Sequence, residues 1–158
     1  MRVLVLRHGN AVDPFEALTD EQRWLTPTGR ARVSRIAQHL SAEGWAPRVI
    51  FTSPLVRAVQ TAELLAAEAS PKIERVEVNV ALAPERGTTA QALSCLEGLD
   101  RDATIALVSH EPKVRVLAGH LGQLPVFAPA ATALLDLRVD PPRVELLEPT
   151  TLIRHRLR

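Results

Sequence analysis

The stretch LVLRHGNA, residues 4–11, decides how this chain is read. It continues the apolar run RVLVL (2–6) and leads straight into Arg7, His8 and Gly9. A short, continuous apolar run of this kind predicts a strand buried on both faces. Such strands belong to parallel sheets covered by helices, whose ligands bind just beyond the strands' carboxyl ends. The run therefore predicts that an arginine and a histidine are delivered to one point at the sheet edge.

The pattern recurs downstream. ATIALVSH (103–110) predicts another buried strand, ending in His110. PRVIFTS (47–53) predicts a strand running into Thr52, Ser53 and Pro54. SPLVRAVQTAELLAAEA then predicts a helix with Ser53 as its cap, Pro54 at its first position and Arg57 in its first turn. Its expected buried stripe is Leu55, Val59, Ala62, Leu65 and Ala66. LTPTGRARVSRIAQHLSAEGW predicts an earlier helix, capped by Thr26, opened by Pro27 and stopped by Gly44. Val33, Ile36, Ala37 and Leu40 fall on one face of it. IERVEVN (73–79) reads as a third strand. Further helices are predicted from about Thr89 to Leu99 and from Pro112 to about Leu121. TALLDLRV and RVELLEP, split by Asp140, Pro141 and Pro142, predict a closing pair of strands. Residues 12–26 and 80–89 read as loops. Strand and helix alternate, so the expected fold is α/β, in three layers: a mostly parallel central sheet flanked by helices on both faces.

The 158 residues suit one domain, 1–158, with enough chain for a sizeable core. A net charge of +1 speaks against nucleic acid or an anionic membrane as partner. The 19 basic residues include only two lysines, Lys72 and Lys113. The rest are arginine, the side chain suited to bidentate contact with phosphate or carboxylate. The single cysteine, Cys95, allows no disulfide within the chain and is expected to be a small core residue. The N-terminus lacks a signal-peptide core, and no apolar run approaches membrane-spanning length. A cytoplasmic monomer is expected.

At the strand ends, Arg7, His8, Arg57 and His110 can converge with a helix N-terminus. Two arginines and two histidines make a site for a dianion. No carboxylate in these motifs is obviously placed to neutralise it. His39 and His120 fall on helices and His155 in a basic tail, RHRLR, expected to be solvated. None has metal-ligand spacing, so neither metal nor any other cofactor is expected. A Gly-rich phosphate loop with Lys and Ser/Thr is missing.

These residues carry a resemblance. LRHGNA resembles the Arg-His-Gly signature of the histidine phosphatase superfamily, the phosphoglycerate-mutase-like fold. LTPTG is similar to the segment opening that family's first helix. FTSPLVRAVQTAELL resembles the stretch supplying its second arginine. LVSHEPKV resembles its second-histidine motif, in the His-Glu-Pro form typical of small SixA-like phosphohistidine phosphatases. The segments follow family order across residues 3 to 117, and FAPAATALLDL fits the subfamily's penultimate strand.

The resemblance implies that His8 is the nucleophile, transiently phosphorylated and then freed by water. A neutral imidazole offers a nitrogen lone pair, provided its other nitrogen is held by an acceptor such as a backbone carbonyl near Gly9. Arg7, Arg57 and His110 would hold the equatorial oxygens, where charge spreads in the transition state. Gly9, letting the backbone turn tightly, and Asn10 join the expected phosphate-contacting set. Larger members of the family place a glutamate after the third strand as general acid. Glu85 is the candidate here, with Glu111 as a second candidate proton donor or a cap of the following helix. SixA-like proteins lack a dedicated acid at that place. Phosphohistidine tolerates this, because its leaving imidazole departs far more readily than an alkoxide. Arg23 is expected to be a solvated loop residue within reach of substrate, and Thr88 and Thr89 either phosphate donors or a helix cap. The implied activity is removal of phosphate from protein phosphohistidine, the partner being a phosphotransfer domain or similar protein. The alternatives are a small-molecule phosphomonoesterase of the same fold and a non-catalytic phosphoprotein-binding module.

Overall fold

Alternation along the strands builds two hydrophobic cores. The computed structural model describes residues 1–120 and 127–157. In β1 (Arg2–Arg7), Val3 and Val5 face one side of the sheet while Leu4 and Leu6 face the other, and all four are buried. β4 (Thr104–Ser109) matches it: Ile105 and Leu107 join Val3, whereas Ala106 and Val108 join Leu4. A strand apolar on both faces needs cover on both. α1 (Pro27–Ala42) and α2 (Val56–Glu68) cover Leu4 and Leu6 through Ile36, Leu40, Ala58, Ala62 and Leu65. α3 (Thr89–Leu93) and α4 (Lys113–Gly119) cover the opposite face through Ala92, Val114 and Leu117.

The sheet order is β3-β2-β4-β1-β5-β6-β7, with β2 at Val49–Thr52, β3 at Arg75–Val78, β5 at Thr132–Asp136, β6 at Arg143–Leu147 and β7 at Arg154–Arg156. The strands β3, β2, β4 and β1 run parallel, and β5 to β7 continue the sheet antiparallel. The predicted three-layer α/β fold is present, with its parallel part around the centre.

Register positions the site. Arg7 stands opposite Ser109 on β4, and Thr52 opposite Val108. The next residues, His8, His110 and Ser53, therefore leave the sheet side by side. The His8 amide still donates to the Ser109 carbonyl and the Ser53 amide to that of Val108, both at 3.0 Å.

The elements differ from expectation in four places. α2 starts at Val56 with Leu55 at its cap, because the Ser53 hydroxyl is used on His110 and the Leu55 amide. Its buried stripe is Arg57, Ala58, Thr61, Ala62 and Leu65, while Val59 and Ala66 are only half-buried. The helix after Thr88 is one short α3 followed by a 3-10 turn, Ser94–Leu96. The basic tail is exposed at His155 and Arg156, as expected, but its backbone is paired: Arg154–Arg156 forms β7 against β6. The predicted end of the fourth helix at Leu121 lies outside the described residues. α1 begins as expected, the Thr26 hydroxyl accepting from the Gly29 amide at 3.0 Å. No helix among the described residues is long and apolar enough to cross a membrane.

Candidate active site

His8 sits at the carboxyl edge of β1, almost fully buried. Its Nδ1 lies 2.7 Å from the Gly9 carbonyl oxygen, and its Nε2 lies 3.3 Å from Nε of Arg57. A carbonyl only accepts and a guanidinium only donates. The contacts therefore fix the tautomer: the proton is on Nδ1, donated to Gly9, and the lone pair is on Nε2. The His110 ring stands 4.9 Å from that of His8, tilted by 54°. His110 Nε2 meets Ser53 Oγ at 2.8 Å, and its Nδ1 is buried without a partner among the described residues.

Burial and positive charge keep both rings neutral. Burial is the main cause for His8, and the charges of Arg57, Arg7 and Arg23 add to it; the Gly9 carbonyl opposes them, and the balance pushes the pKa down to about 3. His110 is pushed down to about 2, by burial first, then by His8 and the charges of Arg57 and Arg7, against the opposing charge of Asp20. Near neutral pH, His8 is an uncharged imidazole among cations.

The cations are held from several elements. Arg57, on the first turn of α2, is buried and spans the gap from His8 to the loop over the site. Its Nη1 donates to the Asp20 carbonyl at 2.6 Å and its Nη2 to the Asp20 carboxylate at 2.9 Å. Arg23 donates to the other carboxylate oxygen at 2.9 Å and, through Nε, to the Val12 carbonyl at 2.7 Å. The expectation that no carboxylate neutralises the cluster is thus overturned. Asp20 bridges two of its arginines, whose hydrogen bonds hold its carboxyl below the usual carboxylate range. Arg23 is a fixed member of the cluster and not a solvated loop residue. Arg7 donates to the Phe127 carbonyl at 2.5 Å, while its Nε is buried and unpartnered among the described residues.

Other expected residues stand elsewhere. The side-chain oxygen of Asn10 is taken by Arg32 at 2.8 Å, and its carbonyl accepts from the Thr26 amide, so its recorded contacts tie β1 to α1. Glu85 is exposed on its loop at a positive φ of 56°. Ala83, Pro84 and Arg86 of the same loop line a cleft of about 220 Å³ with Asp20, Glu21 and Leu55. Glu111 makes no cap of α4; its carboxylate accepts the Phe127 amide at 2.7 Å, so Phe127 joins Glu111 to Arg7. Thr88 caps α3 in a reciprocal box with Gln91.

Gly9 is needed for space and not for an unusual turn. A Cβ there would lie 2.7 Å from Val33 Cγ2. Gly29 is tighter still, since its Cβ would come within 2.1 Å of the Asn10 carbonyl oxygen. Thr61 on α2 completes the support. Its hydroxyl accepts from the Gly9 amide at 3.2 Å and donates to the Arg57 carbonyl at 2.7 Å. Its neighbour Gln60 accepts from the Leu25 amide at 2.7 Å. Both lie in RAVQTAEL beside Arg57, where their residue types alone do not reveal the partners across the fold.

Among the described residues, no three His, Cys, Asp or Glu side chains gather as a metal-ligand set. The site is instead a neutral, oriented imidazole facing guanidiniums, suited to attack on a phosphoryl group. Known proteins agree with that chemistry. The model of the histidine phosphatase superfamily, branch 1, matches residues 3–80. An uncharacterized protein of Picosynechococcus is 41% identical over 115 residues, 71% of this chain and 67% of that protein. The structure of the protein histidine phosphatase SixA complexed with tungstate superposes with a TM-score of 0.83 at 26% identity, covering 97% of this chain and 100% of that one. A mycobacterial glucosyl-3-phosphoglycerate phosphatase shares the fold, with a TM-score of 0.64 at 21% identity over 92% of this chain and 96% of that one. Matched by that family model and superposing on SixA over nearly its whole length, the chain belongs to the histidine phosphatase superfamily of phosphatases and is SixA-like within it.

Proposed function

We propose that the protein removes phosphate from phosphohistidine on a partner protein through a phosphorylated His8. The observation that carries the reading is the His8 tautomer, with Nδ1 donating to Gly9 and Nε2 bearing a lone pair among cations. In the first step Nε2 attacks phosphorus, a new P–N bond forms, and the P–N bond to the substrate imidazole breaks. Arg7, Arg57 and His110 stabilise the charge on the transferring oxygens. In the second step water attacks the phosphorus, His8 leaves as the neutral ring, and orthophosphate is released.

The carboxylates around the site favour phosphohistidine over alkyl esters. An alkoxide needs an acid to protonate it as it leaves, while a substrate imidazole already carrying a proton on its other ring nitrogen leaves as a neutral ring. Asp20 is tied to two arginines, Glu111 accepts the Phe127 amide, and Glu85 is exposed on its loop. The three are thus committed to other partners or turned to solvent. The likeness to SixA over nearly the whole chain supports the same substrate class. A phosphotransfer domain or similar protein is the expected partner, and the reaction is expected to proceed without metal.

The test is turnover of a phosphohistidine-bearing protein beside an aryl phosphate, in chelator, by wild type and His8→Ala. Phosphohistidine loss that survives chelator and disappears in His8→Ala supports the proposal. Turnover of the aryl phosphate alone would move the substrate to small esters. Activity retained by His8→Ala would remove the covalent route, and no turnover of either compound would leave a phosphoprotein-binding module.

A further inference from the structure

Asp20 has a place in this site that an ordinary loop carboxylate does not. Its two carboxylate oxygens are divided between Arg57 and Arg23, each at 2.9 Å, and its carbonyl takes the remaining Nη of Arg57. Two guanidiniums converging on two oxygens is how a phosphoryl group is also bound. The arrangement has a second effect. With both Nη groups committed to Asp20, the Nε of Arg57 is aimed at Nε2 of His8, the lone pair that must reach phosphorus.

The segment carrying Asp20 is built to move away cheaply. Between Val12 and Leu25 no residue is buried, and Phe15 and Leu18 are 99% and 94% exposed. The base of the loop is pinned: the Val12 amide donates to the Trp24 carbonyl, and Leu25 is tied to Gln60. Its outer part reaches the rest of the protein through the contacts of Asp20 with Arg57 and a 3.8 Å pair of Glu21 with Arg86, both exposed. Moving Asp20 thus gives up charged hydrogen bonds but almost no apolar burial.

We propose that Asp20 is an internal competitor for the phosphoryl group: its carboxylate holds Arg57 and Arg23 until phosphate takes them over. Its departure also frees Arg57 from the pose that covers the His8 lone pair. The inference rests on the site being a phosphoryl site, as proposed above. It makes Asp20 a positioning residue that lowers affinity for every phosphorylated ligand and favours those able to displace it.

The test measures orthophosphate binding by calorimetry, with wild type, Asp20→Asn, Asp20→Ala and Arg57→Ala. Unfolding curves of the same proteins establish that the exposed position leaves the fold intact. Both Asp20 variants are expected to bind orthophosphate about tenfold more tightly, the worth of roughly one charge-assisted hydrogen bond. KM for a turned-over phosphate compound should fall by a similar factor, while kcat does not fall. A carboxylate that merely braces Arg57 would give the opposite sign. Equal or weaker binding by both variants, with wild type binding measurably and Arg57→Ala not, would therefore overturn the inference alone. Absence of orthophosphate binding in wild type and both Asp20 variants would overturn the phosphoryl site itself, and the inference with it.

Discussion

Acidification from pH 6.5 to pH 5 should strip stability from this protein through two residues. His8 and His110 have pKa values of about 3 and about 2 in the folded chain, against 6.5 for the free side chain. In that interval the unfolded chain takes up protons at both positions and the folded chain at neither. Stability therefore rises with pH through the window and is fully present above about pH 6.5. The slope per histidine grows from about 0.7 kcal/mol per pH unit at pH 6.5 toward about 1.4 at pH 5, so each contributes about 1.7 kcal/mol less at pH 5. Together they remove about 3 kcal/mol, a large part of the 5–15 kcal/mol of an ordinary domain. The carboxylates held below their usual range, Asp20, Asp100 and Asp136, titrate below this window and do not obscure it. Urea unfolding at pH 5, 5.5, 6 and 6.5 measures the slope for wild type, His8→Gln and His110→Gln. Each variant should lose about half of it. A flat profile for wild type would mean that both rings protonate within the fold, which would refute the buried, neutral nucleophile.

Three other substitutions probe the supports. Thr61→Val keeps the shape but leaves the buried Gly9 amide without its acceptor, and should destabilise by about 1–3 kcal/mol in urea unfolding. Gly29→Ala gains about 1 kcal/mol of helix propensity but drives a Cβ into the Asn10 carbonyl; the clash should win, with a net loss of about 1–3 kcal/mol read from the same curves. Arg57→Lys keeps the charge and loses the planar fork that would hold phosphoryl oxygens beside His8, so kcat/KM should drop about 10- to 100-fold in steady-state assays.

The sheet and the convergence of four residues were legible because they follow from strand ends. Buried strands announce themselves as apolar runs, and residues one step past adjacent parallel strands must be neighbours, as His8 and His110 are. Asp20 was not legible. Its meeting with Arg57 spans 37 residues and depends on how an unpatterned loop folds back, which no periodicity encodes. Arg23 was hidden for the same reason. The shift of α2 by two residues arose because Ser53 had a better use than capping, and that use, His110, lies 57 residues away. The tail strand was missed because RHR carries no alternation of its own; the exposed edge of β6 supplies its partner.

The placement of β1 has a consequence for how the protein folds. Among the described residues this first strand pairs with β4 and β5, each about a hundred residues or more further along the chain. Closing such long loops before any contact compensates is entropically costly and slows folding relative to locally connected folds. The site draws on residues 7–8, 20–23, 53–61 and 109–110, so no early fragment of the chain contains it. His8 therefore has no pocket until His110, about a hundred residues downstream, has been made. Return of activity on refolding is thus a late event, and should lag behind the appearance of helical signal from α1 and α2, whose backbone hydrogen bonds are local.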